Sequence, residues 1–132
     1  MAFAVALPIA DRRAAHDFYR AAFDLQPIGE LADDGLPEPL QFVLAPGAML
    51  VLVPTGGFGW VTADHDVAAP GTSECLLNRL VGSPAEVDAL TERARAAGAV
   101  VKVEPGDPGW GHQSTVADPD GHLWLIQVDP GR

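Results

Sequence analysis

A chain of 132 residues, 48% of them apolar, carries enough hydrocarbon for a real core, which excludes a disordered protein. Its formal net charge of −10, from 18 acids against 8 Lys and Arg, argues against nucleic acid as a partner. The single cysteine, Cys75, excludes an internal disulfide and points to a reducing cytoplasm, and no apolar run approaches the roughly 20 residues that span a bilayer.

The elements follow in order. In "MAFAVALPIADRR" the charges follow the apolar run, the reverse of a secretory signal, so "FAVALPIA" (3–10) reads as a first strand. Residues 11–25 read as a helix capped by Asp11, with Ala15, Phe18, Tyr19, Ala22 and Phe23 on its buried face. A strand at 26–31, a polar turn at 32–39, and a hairpin of strands 40–45 and 48–54 around Pro46-Gly47 complete the first half.

The second half repeats this order. Residues 75–82 read as a strand. Residues 83–98 read as a helix, with Ser83 as N-cap, Pro84 at the first helical position, Glu86 closing a capping box and Gly98 at the end. Val87, Leu90, Ala94 and Ala97 form its buried stripe. A strand at 99–104 and a hairpin of strands 112–117 and 122–128, joined by Asp118-Pro119-Asp120-Gly121, follow. "QFVLAPGAMLVLV" and "QSTVADPDGHLWLIQV" align apart from a longer second turn, and such repetition constrains fold strongly. The expectation is an α+β single domain over 1–132. It has a βαβββ module at 1–54, a linker loop at 55–74 and a second module at 75–130. The two would form a curved, mostly antiparallel sheet around a concave cavity.

The paired modules, "FYRAAFDLQP" at the end of the first helix and "ADPDGHLW" before the last strand resemble the vicinal oxygen chelate superfamily. That superfamily includes glyoxalase I, extradiol dioxygenases, fosfomycin-resistance enzymes and bleomycin-resistance proteins. In its metal-dependent members each module supplies two ligands, one on its first strand and one on its last. The resemblance maps these positions onto Ala4, Val51, Leu76 and Leu125, all aliphatic. A divalent ion needs several N or O donors at roughly 2.0–2.6 Å, and methyl groups supply none. The expectation is therefore no metal and no cofactor.

Strand alternation turns Leu123, Leu125 and Gln127 toward the cavity and Trp124 toward the helix, and it turns Met49, Val51 and Val53 inward in the first module. Trp60 in "GGFGW" and Trp110 in "GDPGWGH" lie in glycine-rich loops, where indole rings can stack on planar or cationic groups. The candidate ligand-binding set is Trp60, Trp110, His112, Gln127, Met49, Val51, Leu76, Leu123, Leu125 and Ala4. His65, with Asp64 or Asp66 orienting it, and His112 are the candidates for acid–base chemistry, whereas His16 reads as exposed on its helix and His122 as facing the helix side or solvent. No phosphate loop, nucleophile elbow, paired cysteines or HExxH is present.

Two functional classes stay open. The first is a metal-free protein of the bleomycin-resistance type, a homodimer by resemblance, that sequesters a bulky cationic natural product. The acidic balance and the loops holding Glu30, Asp33, Asp34 and Glu38, and Asp64, Asp66 and Glu74, suit such a ligand. The second is an enzyme: a metal-dependent lyase, isomerase or dioxygenase, or a metal-free catalyst acting on a small carbonyl substrate. A degenerate member serving as an interaction module is a third reading.

Overall fold

A run of alternating small and large apolar residues starts the chain, and it forms strand β1, Phe3–Ile9, in the computed structural model, which describes residues 2–131. Helix α1, Arg12–Phe23, begins where Asp11 accepts a hydrogen bond from the Ala14 N–H at 3.0 Å. All five residues of its expected apolar face are buried. Strand β2 is only Gln26–Pro27, shorter than the sequence suggests, and β3, Leu40–Ala45, and β4, Ala48–Pro54, form the hairpin. Residues beyond β2 leave the sheet because Leu36 turns into the core and Arg12 holds the loop, its guanidinium reaching Asp34, Glu38 and the Pro37 carbonyl.

The strands of this unit order as β1-β4-β3-β2, with β1 parallel to β4 and the other pairs antiparallel. One face is core: Leu7, Ile9, Leu40, Phe42, Leu50 and Leu52 are buried, and Tyr19 packs on Phe42 with ring centroids 5.9 Å apart. The other face is open.

Residues 55–61, expected as part of a loop, form helix α2, Thr55–Val61. Its sequence, TGGFGWV, has three glycines and no side-chain cap, so propensity gives no sign of it. The Thr55 hydroxyl donates to the Ile9 carbonyl at 3.1 Å and anchors its first turn.

The second unit begins at Ala68 and also takes in Ala21–Phe23, the last turn of α1. Strand β5, Leu77–Val81, leads to helix α3, Pro84–Ala96, and then to β6, Val100–Gly106, β7, Gln113–Ala117, and β8, Leu123–Val128. Ser83 accepts from the Glu86 N–H as expected, while the Glu86 carboxylate takes the Gly82 N–H. The buried stripe of α3 is Val87, Thr91 and Ala94, so Thr91 is core where Leu90 and Ala97 are only half-buried. The Thr91 hydroxyl is satisfied there by the Val87 carbonyl and the Ser114 hydroxyl, both at 2.6 Å.

The strand order β5-β8-β7-β6 repeats that of the first unit, again with one parallel pair. The two βαβββ modules are thus alike, each a mixed and largely antiparallel sheet. The register confirms the internal alignment: Ile9 stands opposite Pro54, three residues past Val51, and Val81 stands opposite Val128, three past Leu125. On the core face of this sheet Trp124, Ile126 and Val116 are buried, with the Trp124 ring 4.9 Å from that of Phe23.

Candidate functional site

The face of each sheet away from its core is where a ligand can reach side chains. In the first unit, pairing sets Ala4 beside Met49, Ala6 beside Val51, and Val51 beside Gln41. Met49 and Val51 are half-buried and Ala4 is exposed. Trp60 lies on α2 rather than in a loop, and is 82% exposed. His65 is exposed and makes no side-chain hydrogen bond to Asp64 or Asp66, so the orienting contact expected there is not formed.

In the second unit the open face carries Leu123, Leu125 and Gln127 of β8, as alternation predicts, beside Ala117, Thr115 and Gln113 of β7. Asn78 of β5 stands opposite Leu125, and Leu80 stands opposite Gln127. Leu76 precedes β5 and is 46% exposed. Apart from buried Ala117, these positions are half-buried or exposed, so they form the wall of an open surface.

Trp110 sits in a loop built by its neighbours. Gly109 and Gly111, at φ +123° and +133°, adopt backbone conformations that favour glycine. Asp107 holds both, its Oδ1 accepting from the Gly109 N–H at 2.7 Å and the Gly111 N–H at 3.0 Å. These two bonds hold its carboxyl below the usual carboxylate range. Trp110 is left 76% exposed, and its Nε1–H donates to Gln113 Oε1 at 3.1 Å.

His112 departs from expectation. Its Nε2 lies 2.7 Å from Asp88 Oδ1 on α3, and it has the same parity as Ser114, which is buried under that helix. The ring is turned to the helix side instead of entering the open face, because α3 offers a carboxylate there.

A cleft of about 480 Å³, within the range typical of small-molecule sites, opens at the other end of this face. It is lined by Val100, Lys102, Thr115, Ala117 and Leu123 of the sheet, by the Asp118–Gly121 turn and by the segment around Gly71. Of the residues expected from sequence only Leu123 lines it. Lys102, the chain's one lysine, is not among the residues that the sequence patterns single out, although its singularity is a usable signal. The turn is rigid: buried Asp118 accepts from the Asp120 and His122 N–H groups. At Gly121, with φ +89°, an added Cβ would lie 2.9 Å from the Gly71 nitrogen.

The residues do not fit a metal. Ala4, Val51, Leu76 and Leu125 carry no donor atom, and among the described residues no three His, Cys, Asp or Glu side chains gather closely enough to hold an ion.

Two like βαβββ modules with open, solvent-accessible sheet faces define a scaffold for binding or transforming small molecules. A family model described as the Glyoxalase/Bleomycin resistance protein/Dioxygenase superfamily matches residues 3–126, and the chain belongs to that family. Among solved structures it is similar to a glyoxalase-related enzyme from Fulvimarina pelagi, at 27% identity and TM-score 0.83, over 98% of this chain and 88% of that one. A protein from Agrobacterium tumefaciens is 25% identical with TM-score 0.72, over 97% and 96% of the two chains. A hypothetical protein from S. aureus shares the fold at 22% identity and TM-score 0.79, over 98% and 92%. A search of curated proteins found no match.

Proposed function

We propose that the chain is a metal-free small-molecule-binding protein of the bleomycin-resistance type, sequestering a bulky, cationic natural product as a cytoplasmic homodimer. The observation that carries this reading is the hydrocarbon at Ala4, Val51, Leu76 and Leu125, where metal-dependent relatives would need donors. On the open face of the first sheet Met49 offers adaptable apolar contact, and on that of the second Leu123 and Leu125 offer apolar contact and Gln127 an amide to orient a ligand. Trp60 and Trp110, exposed and amphipathic, offer stacking and cation–π contact of about 0.5–2 kcal/mol each. The net charge of −10 draws a cationic ligand toward the protein.

The experiment is a tryptophan-fluorescence titration with a bleomycin-like glycopeptide in the presence of EDTA, followed by mass analysis of the recovered peptide. Saturable binding with the peptide unchanged supports sequestration. A second reading, a metal-free enzyme acting on a small carbonyl compound, would use the 2.7 Å pair of His112 and Asp88, a base with a carboxylate to orient it, on the helix side of the sheet and not on its open face. Conversion of a bound compound, lost in His112→Gln, would favour that reading.

A further inference from the structure

The open face of the second sheet carries four polar side chains in a row: Asn78 on β5, Gln127 on β8, Gln113 on β7, and Trp110 in the loop before β7. Their hydrogen bonds fix which end of each amide points where. An indole N–H can only donate, so Gln113 must present Oε1 to Trp110, at 3.1 Å. That leaves the Gln113 NH₂ group unused. At the other end the Leu76 carbonyl can only accept, so Asn78 gives it Nδ2, at 3.1 Å. The Asn78 Oδ1 then accepts from Gln127 Nε2 at 2.8 Å, which leaves Gln127 Oε1 unused. Neither free end has a hydrogen-bond partner among the described residues.

Gln113 and Gln127 are directly paired across β7 and β8, which puts their Cβ atoms roughly 5 Å apart on one face. Two glutamines, one with a spare donor and one with a spare acceptor, thus stand opposite each other, both half-buried, with the orientation of each set from outside the pair. Leu125 and Leu80 flank them, and the exposed Trp110 ring adjoins the donor. We propose that Gln113 and Gln127 form a two-point subsite for the carboxamide of a planar or aromatic ligand, whose C=O accepts from Gln113 Nε2 while its N–H donates to Gln127 Oε1. This rests on the reading of the open face as a ligand wall and adds the chemical group that it recognises. The subsite is selective because each glutamine is already held: neither can flip to serve a carboxylate or an ester without losing its bond to Trp110 or Asn78.

The test uses naphthalene-2-carboxamide, its N,N-dimethyl amide and the methyl ester, with binding followed by tryptophan fluorescence and by the side-chain NH₂ signals in ¹⁵N NMR. The primary amide should bind about tenfold more tightly than the other two, the effect of its one additional hydrogen bond, to Gln127 Oε1. The Gln113 NH₂ signals should shift with the primary amide. Gln127→Leu should bring the preference below about twofold with the dimethyl amide binding as it does to the native protein, whereas Gln113→Leu should weaken all three compounds by a similar factor, because each has a carbonyl to accept from Gln113, and leave the preference in place. Both variants are read only after their backbone spectra match the native fold. Equal affinity of all three compounds for the native protein, a preference that survives Gln127→Leu, or unchanged affinities in Gln113→Leu overturns the amide subsite while leaving an apolar binding face intact. Absence of binding by any of the three at millimolar concentration overturns the subsite and the reading beneath it together.

Discussion

At the scale of single residues, Trp110 and Leu125 carry different burdens. Trp110 is largely exposed and contributes little to the core, so Trp110→Ala should leave the melting temperature within about 2 °C while weakening ligand binding by about 1 kcal/mol or more. A large fall in melting temperature would make the ring structural. Leu125 is half-buried, so Leu125→Glu should cost only about 1 kcal/mol in a denaturant titration, and it should abolish binding of an apolar probe. Asp107 has its carboxyl pKa held down by the Gly109 and Gly111 N–H groups, so the stabilisation it gives is fully present above the unfolded value of about 3.9. It is lost as pH falls below that value through the folded one. The Trp110 indole N–H signal should therefore hold steady from neutral pH to about pH 5 and move only in stronger acid. The orientation of Leu123, Leu125 and Gln127 was legible because a strand alternates faces. The amide row was not, since it depends on strand register and on a loop that brings Trp110 to Gln113. His112 misled for the same reason: spacing from Trp110 cannot reveal a carboxylate 24 positions away on α3.

At the scale of elements, the strongest local signals gave both long helices. Asp11 and Ser83 cap as their residue types dictate, and Ser83→Ala should cost about 1 kcal/mol of stability in chemical denaturation. Of the apolar stripe expected on α3, Val87 and Ala94 are buried but Leu90 and Ala97 only half so, and Thr91 takes a core place because of a partner hydroxyl from β7 that no helical period encodes. Thr91→Val should leave the Ser114 hydroxyl without its partner and cost about 1–3 kcal/mol by the same measurement. Helix α2 was not legible at all, because three glycines argue against it and its anchor is a tertiary contact from Thr55 to Ile9. Gly56 and Gly59 have negative-side backbone angles and open space where a Cβ would stand, so Gly56→Ala and Gly59→Ala should each raise stability by about 0.5–1 kcal/mol.

At the scale of the whole molecule, the paired βαβββ order was readable because the chain says nearly the same thing twice, and the register of β1 with β4 and of β5 with β8 repeats to the residue. The same repetition locates four equivalent positions, and at each the side chain is hydrocarbon. The charge of −10 acts over the entire surface, so affinity for a cationic ligand should fall as salt rises from about 0.01 to 1 M, where the Debye length shrinks from about 30 to 3 Å. The most direct measurement is metal counting by mass spectrometry after equilibrium dialysis against zinc, nickel, iron and manganese. A pocket walled by hydrocarbon should retain well under one ion per chain for every metal, with ligand affinity unchanged by EDTA. One tightly held ion per chain, with a protein-bound anomalous signal beside Val51 or Leu125, would contradict it.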